Sequence, residues 1–449
     1  MLMYHDRMVG PLREVVDRRV SSILAALTQE EPVIALHGPR SVGKSTVLRV
    51  FAADRNVPLV DLDDPAVLEA VRASPALAVG EHTPLCLDEY QHAPELLDAL
   101  KARLNREGSL PGTAVLTGST RQDALPRTAQ ALTGRLHSLT IWPLSQGEIS
   151  GAEENLLTSL RVDATAAVAA SPTSPTTRNE YIEKIMAGGF PLAISRSSSS
   201  ARNRWFDDYI TQSLERDAIE LVRVRQRQAL RDLFNRLAGQ TGQLLNLAQV
   251  GGDLGIDRKT LEDYVELLED LFLVVRLPAW GKTLRARARS KPKLHVVDSG
   301  LAARILRLTP TKLTRLDLTA LTEMGHLLET FVVGELRKQV SWLDVQVTCG
   351  HWRTATDDEV DFVIEFDDGA VLAFEVKAGE RVTGNDLKGM RKLREALGER
   401  FVAGVALSMG TRSYTYEDRL HVMPLDRLWT TVPSPAADHT TRTARSQQS

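Results

Sequence analysis

Cysteine is scarce: Cys86 and Cys349 are the only two in 449 residues, and they lie far apart. That excludes a disulfide framework and any metal site of cysteine spacing, and it fits a reducing, cytoplasmic setting. No apolar run reaches the roughly 18 residues that would span a bilayer, so no membrane role is expected. The opening Met1-Leu2-Met3-Tyr4-His5-Asp6-Arg7 has no apolar core of the signal-peptide kind. Charge of one sign is also lacking, with 55 Lys and Arg against 58 Asp and Glu and a net charge of −3. Bulk electrostatic attraction to nucleic acid is excluded, and a local basic patch is not. What is present is ordinary for a globular chain, 43% hydrophobic and 25% charged. The length allows roughly two to four domains.

The densest chemistry lies at His37-Gly38-Pro39-Arg40-Ser41-Val42-Gly43-Lys44-Ser45-Thr46. The apolar run Pro32 to Leu36 before it predicts a buried strand, and Val47 to Ala53 after it predicts a helix. Strand, Gly-x4-Gly-Lys-Ser, helix is a phosphate-cradling loop. Glycines 38 and 43 permit close backbone approach, and the helix N-terminus offers free N–H groups to an anion. Gly38, Pro39, Arg40, Ser41, Val42, Gly43, Lys44, Ser45 and Thr46 are therefore the expected ATP-binding residues, with Ser45 on Mg²⁺. An amphipathic helix over 12–29 is expected to lead in, and a second strand (57–62) and a helix (65–73) to follow.

Pro84-Leu85-Cys86-Leu87-Asp88-Glu89 is an apolar strand that ends in two acids, about 40 residues beyond the loop. Asp88 is expected in the Mg²⁺ shell, and Glu89 is expected to polarise the attacking water. Another strand, Thr113 to Leu116, ends in Thr117-Gly118-Ser119-Thr120. In a parallel sheet that end borders the ligand crevice, so Ser119 is either a γ-phosphate sensor or part of a Gly turn. Leu132-Thr133-Gly134-Arg135-Leu136 leads into a strand over 137–142. Arg135 is either an arginine finger, in cis or in trans, or a surface charge.

These motifs, together with Asp88-Glu89-Tyr90-Gln91 and Pro94, Leu116-Thr117-Gly118-Ser119, and Pro143-Leu144-Ser145-x2-Glu148, resemble prokaryotic AAA-type ATPases whose C-terminal half is a restriction-endonuclease-like domain. Ala187-Gly188-Gly189-Phe190-Pro191 and Pro292-Lys293-x4-Asp298-Ser299-Gly300-Leu301 match the same family.

Between the halves, 171–177 reads as an exposed breaker loop and Ser195 to Ser200 as a mobile Ser-rich stretch. Residues 151–178 carry no usable signal. A helix from about Leu244, a Gly251–Asp257 turn, a helix Arg258 to Asp270 and a strand Leu271 to Leu277 resemble a winged helix-turn-helix. The acids Glu262, Asp263, Glu266, Glu269 and Asp270 argue instead for a packing module, because they would meet phosphates in a groove. The basic stretch Lys282 to Lys293 is either a phosphate contact or a solvated loop. Asp298 reads as a helix N-cap without catalytic duty.

Farther on, Gly325 to Val340 reads as a helix, and Glu359 to Phe366 alternates as a strand. Asp367-Asp368-Gly369 signals a turn, and Ala370 to Ala378 returns with Glu375 and Lys377 on one face. A two-residue turn would put Asp361 and Glu375 on opposite faces. A three-residue turn, with Gly369 at the φ > 0 position, pairs Phe366 with Ala370 and sets Asp361 opposite Glu375; this is the expected register. Asp361, then Glu375-x-Lys377, with Glu329 on the preceding helix, resembles the restriction-endonuclease core. The resemblance implies that Asp361 and Glu375 bind Mg²⁺ and that Lys377 steadies the nucleophilic water or the leaving charge. The plain alternative is a hairpin face with a cross-strand ion pair.

The expected fold is α/β: a P-loop ATPase domain (1–150), a helical lid region (151–240), a winged-helix-like module (241–280), a restriction-endonuclease-like domain (281–434) and a disordered tail (435–449). The expected cofactors are ATP and Mg²⁺, DNA is the expected partner, and a homo-oligomer is expected if Arg135 acts in trans. The competing functions are an ATPase coupled to a nuclease, a nucleotide-gated switch or scaffold with an inactive nuclease-like domain, and an ATPase that holds DNA without cutting it.

Overall fold

A computed structural model describes residues 15–80, 82–119, 132–217, 227–281, 291–314, 318–354 and 356–433. The tail expected to be disordered and residues 282–290 of the basic stretch lie outside these. The chain forms two compact units, each assembled from separate stretches. The first takes in Met1–Leu144, Phe190–Arg231 and Ile256–Val274, and the second Ser145–Gly189, Asp232–Gly255 and Val275–Ser449. The middle expected as bodies of its own, 151–240 and 241–280, is instead shared between these units.

The first unit holds a five-stranded sheet, β1 (Val33–His37), β2 (Leu59–Asp61), β3 (Leu85–Asp88), β4 (Ala114–Thr117) and β5 (Leu136–Thr140), in the order β2-β3-β4-β1-β5. Every pairing is parallel. All residues of β1, β3 and β4 are buried. That is why these segments read as unbroken apolar runs, as strands covered on both faces do. Leu96, Leu97, Leu100 and Leu104 of the helix Glu95–Glu107 join Leu85, Leu87 and Leu116 in one core cluster. The helix Pro65–Ala73 begins where expected, because the Asp64 side chain accepts from the N–H groups of Ala66 and Val67.

Two expectations in this unit are corrected. The leading helix spans only Val20–Leu27; residues 15–18 are not helical, and 12–14 lie outside the described residues. Arg18 is drawn instead to the carbonyls of Val42 and Trp142. The Ser-rich stretch expected to be mobile leads into a helix: Ser198 caps Ser199–Gln212 by accepting from Ala201 N–H at 3.2 Å. That helix packs Trp205, Phe206 and Tyr209 around Phe190.

The second unit holds a small sheet ordered β6-β8-β7, made of β6 (Gln243–Leu244), β7 (Val274–Leu277, whose first residue belongs to the first unit) and β8 (Lys293–Val296). Its larger sheet contains β9 (Val347–Arg353), β10 (Glu359–Phe366), β11 (Val371–Lys377), β12 (Phe401–Ser408), β13 (Tyr414–Glu417) and β14 (Leu420–Pro424), in the order β13-β14-β12-β11-β10-β9. The helix Leu318–Val340 precedes an antiparallel meander β9-β10-β11. The helix Lys388–Leu397 then carries the chain to β12, which lies parallel to β11. Met390, Leu393 and Leu397 of that helix pack on Val360, Val363 and Val371 of the sheet.

The β10–β11 turn has three residues. Phe366 N–H donates to Ala370 O at 2.9 Å, Gly369 N–H donates to Phe366 O at 2.8 Å, and Gly369 takes φ 82°. Phe362 pairs with Phe374, so the expected register holds and Asp361 stands opposite Glu375.

Elsewhere the second unit departs from expectation. Gly251 and Gly252 lie inside the helix Leu247–Leu254, which stops only at Gly255 in the left-handed region. The second helix of the expected helix-turn-helix, Arg258–Asp270, belongs to the other unit. The strand expected from Leu271 begins at Val274, because Phe272 turns the chain with φ 54°. The breaker loop at 171–177 is tethered: Ser174 is buried, its N–H donates to Thr411 O at 2.7 Å, and Thr176 Oγ1 donates to Asp426 at 2.9 Å. Residues 151–178 contain the helix Leu156–Ala170 with Leu156, Leu157 and Leu160 buried. The helix expected from Gly325 starts at Leu318.

Candidate functional site

The first unit gathers its chemistry at the C-terminal ends of β1, β3 and β4, where a parallel sheet leaves its crevice. From β1 the chain enters the loop through Gly38, whose φ is 149° and whose place admits no side chain. A Cβ there would lie 2.1 Å from Ile141 O. Pro39 is buried, Arg40 follows, and Ser41 and Gly43 both adopt positive φ before the helix Lys44–Asp54 begins. That helix has no side-chain cap, so the first N–H groups, Lys44 to Thr46, face the loop as an anion cradle. Val42 O accepts from Arg18 Nη1, and Trp142 O accepts from Arg18 Nη2, both at 2.7 Å. This brace on the loop carries no motif and was not foreseen.

Lys44 is buried and curls over the loop, donating to Gly38 O at 3.0 Å and Pro39 O at 2.9 Å. Ser45 Oγ donates to Asp88 Oδ1 at 3.1 Å, which joins the loop to the end of β3. A hydroxyl and a carboxylate are the oxygen donors a hard cation takes, so these residues fit Mg²⁺ held with nucleotide phosphates. Thr117 at the end of β4, and not only the expected Ser119, serves this site. Its fully buried hydroxyl donates to Asp88 Oδ1 and accepts from Glu89 N–H at 3.1 Å.

Glu89 itself stands at φ 54°, a left-handed conformation that non-glycine residues adopt at a cost and that clusters at working sites. Gln91 Nε2 donates to Glu89 Oε2 and, at 3.3 Å, to Ser119 Oγ. Ser119 thus reaches the site through Gln91, a residue that sequence reasoning noted only as part of a motif. Arg135 lies elsewhere. Val33 N–H donates to Arg135 O, so Arg135 flanks the start of β1 while the loop leaves from its other end. Its guanidinium donates to Asn105 at 2.6 Å. A role in cis on this chain's own nucleotide is overturned by that position.

In the second unit, Glu329 on the helix Leu318–Val340, Asp361 on β10, and Glu375 and Lys377 on β11 come together as expected. Lys293, the first residue of β8, joins them and was not foreseen as part of a site. Its Nζ lies 2.7 Å from Glu329 and 2.9 Å from Asp361, with Glu359 at 3.9 Å. Asp361 Oδ2 accepts from Val376 N–H at 2.9 Å, and Glu375 Oε1 accepts from Lys377 at 2.8 Å. Asp361 and Glu375 are 4% and 6% exposed, so water does not screen these pairs.

Burial would lower the Lys293 ammonium, but Asp361, Glu329 and Glu359 surround it and hold it above the usual lysine range. Burial, and then the neighbouring Asp361, push Glu329 up to about 8. The same causes in the same order push Glu375 well up. Lys293 and Lys377 are the cations paired with the carboxyls of this cluster. Among the described residues no group of three or more His, Cys, Asp or Glu side chains is arranged to hold a metal. The expected metal pair, Asp361 and Glu375, does not fit one here, because an ammonium and a backbone N–H take the Asp361 oxygens. Asp298 is the buried N-cap expected, accepting from Leu301 N–H and Gly189 N–H.

No helix among the described residues is long and apolar enough to cross a membrane. Residues 178–312 match a domain of unknown function (DUF8612), and residues 324–428 match another (DUF4143). Uncharacterized proteins of Mycobacterium bovis and Mycobacterium tuberculosis are 28% identical to the chain over 93% of its length and 86% of theirs. A solved Walker-type ATPase of Pyrococcus abyssi is 16% identical with a TM-score of 0.40, covering 66% of this chain and 98% of that one. Residues 30–150 match the AAA domain model, and with the loop, Asp88 and the parallel sheet they form an AAA-type P-loop ATPase domain.

Proposed function

We propose that the chain is a Mg²⁺-dependent ATPase whose C-terminal unit is a restriction-endonuclease-like domain used for binding and gating, without cleavage. The observation that carries the first half is the 3.1 Å contact of Ser45 with Asp88, with Glu89 next to it. A Mg²⁺ held there would supply neutralisation of the charge that develops on the transferred phosphoryl group. The chain's own residues do the rest. The Lys44–Thr46 N–H groups and the Lys44 ammonium bind the phosphates, Ser45 and Asp88 would hold the ion, and Glu89, oriented by Gln91, takes the proton of the attacking water. Arg135 in this reading serves a neighbouring copy, which makes a homo-oligomer the active form. Calorimetric titration with ATP and Mg²⁺ tests the binding step. Binding by the wild type that weakens by at least about 100-fold in Lys44→Ala supports it, on the scale of losing a charge-assisted phosphate contact. Equal binding by both contradicts it.

The second half is supported by the order of elements: helix, antiparallel meander, helix, parallel strand, with acids and a lysine on β10 and β11. The pairing of Asp361 with Lys293 and of Glu375 with Lys377 favours a switch over metal chemistry. DNA is the partner we assign to this unit. Incubation of DNA with Mg²⁺ or Mn²⁺ is expected to give no more cleavage by the wild type than by Asp361→Ala or Lys377→Ala. Cleavage by the wild type that both variants lose would establish the nuclease instead.

A further inference from the structure

Lys293 pairs with Asp361 although its side chain is only 3% exposed. An ammonium this deep is costly to desolvate, and it persists only where opposite charge surrounds it. Here that charge comes from two elements. Glu329 reaches it from the helix Leu318–Val340, and Asp361 and Glu359 reach it from β10. Carboxylate oxygens converging from separate elements on one point are what a hard divalent ion needs. Asp361 turns its other oxygen to Val376 N–H, and Lys377 takes one oxygen of Glu375. Glu375 Oε2 is buried without a hydrogen-bond partner, a spare oxygen within the cluster.

We propose that Lys293 is the resident cation of this cluster: its ammonium takes the place between Glu329 and Asp361 that a divalent ion would take, so the wild-type domain binds no metal there, and loss of the ammonium opens a divalent-cation site. The inference deepens, and rests on, the restriction-endonuclease-like reading of this unit, which is what makes a metal the alternative occupant. It also gives the charge pairing a consequence beyond stability. The cluster is closed to metal by one side chain, and the remaining ligands stay in place.

The test is Mn²⁺ titration of the nucleotide-free full-length protein, with free Mn²⁺ read by electron paramagnetic resonance. The proteins are wild type, Lys293→Met, Asp361→Asn and the double variant, each checked for folding by circular dichroism. The wild type and Asp361→Asn should show the same weak uptake. Folded Lys293→Met should take up Mn²⁺ at least about tenfold more tightly, and the double variant should lose that gain, as removal of a ligand demands. If Lys293→Met does not fold, Lys293→Gln, neutral and polar, replaces it, and the comparison of wild type with Asp361→Asn stands without either. Tight uptake by the wild type that Asp361→Asn removes would overturn the inference and leave the restriction-endonuclease-like reading intact. Absence of added uptake in a folded Lys293 variant would overturn the inference and leave the restriction-endonuclease-like reading, which rests on the order of elements, to the DNA-cleavage test.

Discussion

At the scale of the residue, the nucleotide site divides into groups set by spacing and groups set by packing. Lys44, Ser45, Asp88 and Glu89 were legible in the chain because a phosphate cradle and a strand ending in acids impose fixed intervals. Thr117, Arg18 and Lys293 were not, because each acts through a partner distant in sequence, and Gln91 stood out only as part of a motif until its contacts with Glu89 and Ser119 were seen. Thr117 is the sharpest case. Its hydroxyl holds Asp88 and receives Glu89 N–H, so Thr117→Val should slow ATP turnover about tenfold while leaving ATP affinity unchanged. Steady-state kinetics that show a raised KM and an unchanged kcat would contradict that role. Arg18→Ala removes both donors from the brace on Val42 and Trp142. It should weaken ATP binding by roughly tenfold, with an unfolding free energy lower by about 1–3 kcal/mol, as for hydrogen bonds made by a charged group. Titration calorimetry and denaturant unfolding read the two effects.

At the scale of the element, local signals worked where a cap or a turn fixed the chain and failed where tertiary contacts overruled it. The helices at 65–73 and 258–270 were legible because Asp64 and Asp257 cap them. The β10–β11 register was legible because Asp367-Asp368-Gly369 offers a three-residue loop with glycine at its positive-φ position, and that loop sets Asp361 opposite Glu375. Gly369→Val should therefore destabilise the protein by about 1–2 kcal/mol, the cost of a Cβ in the left-handed region, measured by denaturant unfolding. Gly251 and Gly252 misled because glycines read as a turn, whereas Val250 and Gly251 are buried within a continuing helix.

Glu154 couples the stability of its unit to pH. Its carboxyl accepts from Ser145 Oγ at 3.0 Å and from Gly147 N–H at 3.2 Å, yet burial, and then the neighbouring Glu335, push it up to about 8. The folded form then holds a proton that the unfolded chain releases near 4.5. Its contribution to stability should be full below that lower value and should be lost as pH rises toward 8. Glu154→Gln should flatten the fall in melting temperature over this window. An unchanged slope would show that Glu154 ionises normally.

At the scale of the whole molecule, the P-loop domain and the C-terminal sheet were legible in the sequence, and the division of the chain between two units was not. Each unit takes stretches from several parts of the chain, and no local composition marks where a chain leaves one core and returns to it. The same limit hid Lys293, which precedes Asp361 by 68 residues and meets it only in the fold. If the two units work together, DNA should change the rate of ATP hydrolysis. A rate independent of DNA in wild type would detach the C-terminal unit from the ATPase cycle. Hydrolysis at the Ser45–Asp88–Glu89 site is read by steady-state phosphate release from ATP and Mg²⁺ by wild type and Glu89→Gln. The wild type should turn over ATP, and Glu89→Gln should lose at least about 100-fold with ATP binding retained, on the scale of removing a general base. Equal turnover by the two proteins would contradict it.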